Sequence, residues 1–358
     1  MNPRDPALPF QCEHIPAPNA DAELLCRTRL NVLTKPAGSL GVLEELAVRL
    51  AGIRGFPPTV NRPAVLIFAG DHGVTDEGVS AFPKAVTPQM VANFLSGGAA
   101  INVFSKLAGA NVTIIDAGVD ADLSNLAGLV HRKVRRGTRN MVLEDAMTRA
   151  EASAAIALGR EQAALAIERG AEILCLGEMG IGNTTSAAAL VSALLPMDVL
   201  ESVGRGTGVD DAGLERKRSA VKRALARHGE NTDQSAERAL GTLCAVGGLE
   251  IAALCGAFFA AAARRTPVLV DGYIVSSAAL CALRLNPAVA PYLFFAHRST
   301  ERGHAHLLAG LGVRPLLECD LRLGEGTGAV LALPLLKAAC TVLTEMATFT
   351  SAGVANKA

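Results

Sequence analysis

The sequence predicts an α/β fold, a parallel sheet covered by helices, and three observations carry that expectation. Short, near-continuous apolar runs recur after Pro63, at 64–69, 112–115, 173–176, 268–270 and 292–295. Longer helix-like stretches separate them. Strands that are apolar on both faces belong to sheets buried on both sides, which repeated βα units produce. Each run also ends in glycine or polar residues: Gly70-Asp71-His72-Gly73, Asp116-Ala117-Gly118, Gly177-Glu178-Met179-Gly180, Asp271-Gly272 and His297 in turn. Ligands of open α/β sheets bind beyond the carboxyl ends of the strands. Five such endings on one edge describe the rim of a site, although each alone is also ordinary turn chemistry.

Ahead of the sheet, residues 1–20 are rich in proline and polar groups and are expected to lie extended on the surface. A helical run from Ala22 leads to Leu33 and the turn Thr34-Lys35-Pro36-Ala37-Gly38-Ser39. Ser39 is a candidate N-cap for a second helix, in which Leu43, Leu46, Ala47 and Leu50 form one apolar stripe. Gly55-Phe56-Pro57-Pro58 closes this helical opening, which needs a partner surface for its stripe. The Ala-rich segments 151–166 and 257–263 read as packed helices. A last helical run covers 329–343.

Composition removes several classes of function. The chain has 358 residues, half of them apolar and 19% charged, so a disordered role is excluded. Lys+Arg and Asp+Glu balance at 34 each, leaving no global field for nucleic acid or an anionic membrane. The basic run Arg132-Lys133-Val134-Arg135-Arg136 lacks stacking partners, since aromatic residues are 4% and Trp is absent. A small molecule held by local chemistry is the expected ligand. The eight cysteines, Cys12 among them, form no Cys-x-x-Cys pair, and Cys175 and Cys255 sit in apolar runs. That usage suits a reducing compartment, and a cytoplasmic location is expected. The N-terminus shows no apolar signal region, and the longest apolar run, 251–263, is too short to span a bilayer.

Three glycine turns can carry chemistry. In Gly324-Glu325-Gly326-Thr327-Gly328, a carboxylate sits in a turn that enters a helix, where free N–H groups are expected beside it. A general base or a solvated turn residue both satisfy that pattern. Gly177-Glu178-Met179-Gly180-Ile181-Gly182-Asn183-Thr184-Thr185 leaves a strand and enters a helix. It lacks the full dinucleotide spacing and the phosphate-loop lysine, so it reads as an anion site or a tight connection. Gly204-Arg205-Gly206-Thr207-Gly208 precedes Arg216-Lys217-Arg218, and glycine amides with Lys217 suit a phosphate monoester; a solvated helix face is the other reading. His297, His304 and His306, near Glu301, show no zinc-site spacing, and no metal is expected. Asp71-His72 lacks the nucleophile elbow of a hydrolase.

Taken in order, Thr34-Lys35-Pro36-Ala37-Gly38-Ser39-Leu40-Gly41, Gly70-Asp71-His72-Gly73-Val74, Gly78-Val79-Ser80-Ala81-Phe82-Pro83 and the turns at Gly177 and Gly324 resemble the nicotinate-nucleotide–dimethylbenzimidazole phosphoribosyltransferases of cobalamin lower-loop assembly. The likeness runs from about residue 27 to 336. It implies transfer of 5-phosphoribose from nicotinate mononucleotide to 5,6-dimethylbenzimidazole, without metal or cofactor, by a homodimer. It also implies a Rossmann-like sheet domain, 61–328, and a small helical domain built from 1–60 and 329–358. By the same resemblance Glu325 is the catalytic base, with Glu178 or Asp271 facing ribose or nicotinate and able to share that role. The base pocket is expected to use Phe82, Met179 and Leu323 as walls, with Ser80 and Gln89 as polar neighbours. Gly180, Ile181, Gly182, Asn183, Thr184, Gly206, Thr207, Gly208 and Lys217 would hold the phosphate. A nucleotide hydrolase and a non-catalytic nucleotide sensor are the alternatives on the same scaffold.

Overall fold

All strand pairings are parallel in the single six-stranded sheet of this protein, a computed structural model that describes residues 14–195, 197–229, 233 and 235–355. The strands are β1 (Pro63–Gly70), β2 (Asn111–Gly118), β3 (Val130–His131), β4 (Ile173–Met179), β5 (Val268–Val270) and β6 (Leu293–Phe295). Their spatial order is β3-β2-β1-β4-β5-β6, so the winding reverses between β1 and β4. That reversal is the switch point at which open α/β sheets form a ligand crevice. Five strands fall on the five apolar runs. The two-residue β3 has no such run; pairing of Ile115 with Val130 and of Asp116 with His131 defines it.

Two-sided burial explains the apolar runs. Leu66, Ile67 and Phe68 of β1 and Leu174, Cys175 and Leu176 of β4 are almost wholly removed from solvent. Helices Arg149–Glu168 and Leu249–Ala263 pack on one another, and the second is buried on nearly every side, as its uniform apolarity requires.

The chain ends meet. Helix Ala20–Val32 is capped by Asn19, whose Oδ1 accepts the N–H groups of Asp21 and Ala22. Helix Val42–Arg54 is not capped by Ser39, which lies two residues ahead of the cap position Gly41. Glu44 ties that turn instead, accepting from Lys35 Nζ at 2.8 Å and from the Leu40 N–H at 3.1 Å. Helix Thr327–Glu345 packs on Val42–Arg54, on Ala100–Ala108 and on the sheet. Arg29 donates to the carbonyls of Leu343 and Met346, and the Thr34 N–H to that of Ala347. The helix runs unbroken across the expected 328/329 boundary. By length and apolar composition it could cross a membrane, unlike the run 251–263 considered above, but its buried face belongs to the core. Much of the expected extended leader, with Cys12, lies outside the described residues.

Candidate active site

The switch point brings the Gly177 and Gly324 turns into direct contact. A Cβ on Gly177 would lie 2.5 Å from the carbonyl carbon of Glu325 and from the Gly326 nitrogen, so only glycine lets the second turn rest on the end of β4. Glu325 itself has a left-handed backbone, φ 64°, between Gly324 at 87° and Gly326 at 84°. A non-glycine residue held there is strained, and such strain gathers at functional sites.

Asp271, just after β5, completes the arrangement. Its two oxygens accept the N–H groups of Gly326 (3.1 Å) and Ala329 (3.0 Å), and His297 Nε2 lies 3.4 Å from Oδ1. The helix N-terminus is therefore capped by Asp271, and these N–H donors, expected to be free beside Glu325, are taken. The expectation that Asp271 faces ribose or nicotinate meets a different geometry: it is fully buried and lines none of the cavities described below. Glu325 is 6% exposed, and its Oε2 has no hydrogen-bond partner. Burial first, and the Asp271 charge second, raise its carboxyl to about 7.

Glu178 lies on β4 and is also buried; Asn183 Nδ2 donates to its Oε2. Desolvation, followed by the charges of Glu250, Asp271 and Glu325, pushes its carboxyl well above the ordinary range. Burial thus favours its protonated form more than in an exposed carboxyl. A cleft joins Glu178 and Glu325 to the apolar Met179 and Leu323.

Beside the cleft lies Lys217, in helix Asp211–His228. It is 1% exposed, so it is the inward member of the basic run, and its Nζ donates to Thr184 Oγ1 at 2.9 Å. Burial lowers its pKa to about 8, with Glu301 acting in the opposite direction. A small polar pocket around it is lined by Ser80, Gly180, Ile181, Gly182, Asn183, Thr184, Arg205 and Thr207. Gly180, Ile181, Asn183, Thr184 and Thr207 also line the larger cleft, so the two spaces are neighbours that share this turn. Fewer turn amides are free than the sequence suggested. Ile181 N–H donates to Thr87 Oγ1, Asn183 N–H to the Gly180 carbonyl and Thr185 N–H to that of Gly182.

The structure thus gathers most of the expected residues, with differences. Ser80 lines the Lys217 pocket rather than the larger cleft, and its Oγ accepts the Phe82 N–H. Phe82 and Gln89 are exposed and line neither space, and Leu323 stands exposed on the larger one. Gly206 lines the larger cleft, whereas Gly208 lines an adjoining cavity with Gly206, Glu301 and Arg322. Sequence reading missed Tyr273, Ser299 and Arg322 on the cleft wall. His297 and Glu301, noted as a strand ending and in weighing a metal site, line it too. The signal for Ser299 and Glu301 was their place just after β6, on the same edge as the other endings. His304 accepts the Ser299 N–H at Nδ1 and meets Ser276 Oγ at Nε2; burial lowers its pKa to about 3. No group of three or more His, Cys, Asp or Glu residues is arranged for a metal among the described residues.

A switch-point cleft with a buried carboxyl on its wall and a buried lysine in the pocket beside it suits a group-transfer enzyme for a small phosphorylated substrate. Residues 15–354 match the family model described as phosphoribosyltransferase. A Chloroflexus aggregans protein named nicotinate-nucleotide–dimethylbenzimidazole phosphoribosyltransferase is 52% identical over 345 residues, 96% of this chain and 97% of its own. A Cupriavidus necator protein of the same name is 52% identical over 90% of this chain and 92% of its own. The crystal structure of CobT from Thermus thermophilus superposes with a TM-score of 0.89 at 49% identity, covering 94% of this chain and all of that one. The chain belongs to the nicotinate-nucleotide–dimethylbenzimidazole phosphoribosyltransferase family.

Proposed function

We propose that the protein transfers the 5-phosphoribosyl group of nicotinate mononucleotide to 5,6-dimethylbenzimidazole, releasing nicotinate and α-ribazole 5′-phosphate. The observation that carries this reading is Glu325: a buried carboxyl with an unpartnered oxygen, raised to about 7, on the wall of a cleft that shares the turn at residues 180–184 with the Lys217 pocket.

The bond from C1′ to the pyridinium nitrogen breaks with its electron pair moving to nitrogen, which leaves neutral and needs no acid. The ribose carbon passes through an oxocarbenium-like state, as in glycoside cleavage. One nitrogen of the benzimidazole bonds C1′ from the opposite face, inverting it, while the other loses its proton. A base poised near the working pH is the most effective acceptor, and Glu325 has that poise. Its negative charge also stabilises the azolium that forms before the proton leaves. Glu178, its carboxyl raised by burial and neighbouring charges and its Oε2 held by Asn183, faces the ribose or nicotinate from the same cleft. Lys217, Thr184 and the turns around Gly180 and Gly206 hold the phosphate as a point charge with short donors.

Met179 and Leu323 supply apolar wall for the flat ring. The enzyme works as a cytoplasmic homodimer, with 1–60 and 329–358 forming its small helical domain and 61–328 its catalytic one. The contacts of Arg29 and Thr34 with residues 343–347 support that division, and six buried free cysteines support the compartment.

The test is to incubate the protein with nicotinate mononucleotide, with and without the benzimidazole, and to identify products by mass and anomeric configuration. The reading predicts an α-riboside phosphate formed in step with nicotinate. Nicotinate release that ignores the benzimidazole would instead mark a hydrolase.

A further inference from the structure

We propose that Thr87 and Asp71 form a positioning pair that holds the wall carrying Ser80, Phe82 and Gln89 in register with the turn at residues 180–184. The inference rests on the function proposed above and assigns a role to two buried groups outside it.

Thr87 sits in the first turn of helix Val86–Leu95, between the loop that carries Ser80 and Phe82 and the helical position of Gln89. It is fully buried, and its hydroxyl makes two hydrogen bonds in opposite senses. Oγ1 donates to Asp71 Oδ1 at 2.6 Å and accepts the Ile181 N–H at 3.1 Å. The order follows from chemistry. The Ile181 N–H can only donate, so it takes a lone pair of Oγ1, and the single hydroxyl proton points to Asp71. Asp71 is fixed from the other side by the Asp120 N–H, 2.8 Å from Oδ2, and by its own backbone bonds to Gly118 and Thr138.

The turn is thereby seated at two points. Gly180 lies so close to the end of β1 that a Cβ there would stand 2.0 Å from the Gly70 carbonyl oxygen. One residue later, Ile181 hangs on Thr87. Next along, Asn183 holds Glu178 and Thr184 holds Lys217. The hydroxyl therefore couples the segment expected to receive the incoming ring to the turn expected to hold the nucleotide, without lining either cavity. Misplacing two reactants by a fraction of an ångström lowers the rate of their union far more than the affinity of either.

The experiment compares Thr87→Val, which keeps the shape and removes the hydroxyl, with Thr87→Ser, which keeps the hydroxyl and removes the methyl. The inference predicts that Thr87→Val lowers kcat with the benzimidazole at least about tenfold while the nucleotide Kd by calorimetry moves less than about threefold. Thr87→Ser should recover kcat to within about threefold of the parent. Should Thr87→Val not fold, Thr87→Cys, with its weak donor and acceptor, makes the same comparison. Unchanged kcat in the folded hydroxyl-less variant, or a serine variant as slow as the valine one, would overturn the inference. Absence of transfer in the parent protein would instead overturn the proposed function, so the two failures are distinguishable.

Discussion

Glu325 and Lys217 are both buried ionisable groups on neighbouring cavities, yet the fold treats them differently. Lys217 has a partner in Thr184 and an opposite charge in Glu301; burial lowers it to about 8, leaving it cationic at neutral pH. Glu325 has an oxygen with no partner and a like charge in Asp271; burial and that charge raise it to about 7. On the proposed function, the lysine side keeps its charge to bind the phosphate and the glutamate side changes its charge during reaction. A buried charge with partners and one left without them are opposite responses to the same desolvation cost.

The largest effect that separates them is on turnover. Glu325→Gln should lower kcat by about 10²–10⁴-fold, the range of a lost general base, while nicotinate mononucleotide affinity stays near that of the parent. Steady-state kinetics with calorimetric binding checks this, and near-parental turnover would remove Glu325 from the role. Lys217→Ala should act in the other sense, weakening nucleotide binding by about tenfold to a hundredfold with a smaller change in kcat. An unchanged nucleotide affinity would detach Lys217 from the phosphate.

Stability sharpens the contrast. The folded-state pKa of Glu325, about 7, lies above its ordinary 4.5, so between those values the native state holds more protons than the unfolded one. Stability is therefore lost as pH rises through that window, and the cost is fully present above about 7. Glu325→Gln should escape it, gaining on the order of 2 kcal/mol relative to the parent at pH 8 compared with pH 4. Denaturant titrations at the two pH values read this difference; an equal or reversed gap would contradict the raised carboxyl.

How far the sequence led depended on how local each signal was. Five strands were legible because two-sided burial demands apolar runs, and the strand endings marked the correct edge. The two-residue β3 was not, since its existence depends on pairing with β2 rather than on its own residues. Glu325 could be singled out from its glycine neighbours, but not the fact that Asp271, far earlier in the chain, takes the N–H groups beside it. Similarly, Lys217 looked like one of three basic residues on a helix, and only the packing of that helix shows which one faces inward. Ser299, Glu301 and Arg322 reach the cleft from connections whose course no periodicity encodes.

The most direct test of the account is the pH dependence of kcat for phosphoribosyl transfer in the parent protein and in Glu325→Gln. The account predicts a parental rate that rises with pH through an acid limb near 7, with the residual rate of the variant flat across the same range. A variant that keeps the limb would place the proton acceptor elsewhere and contradict the central claim.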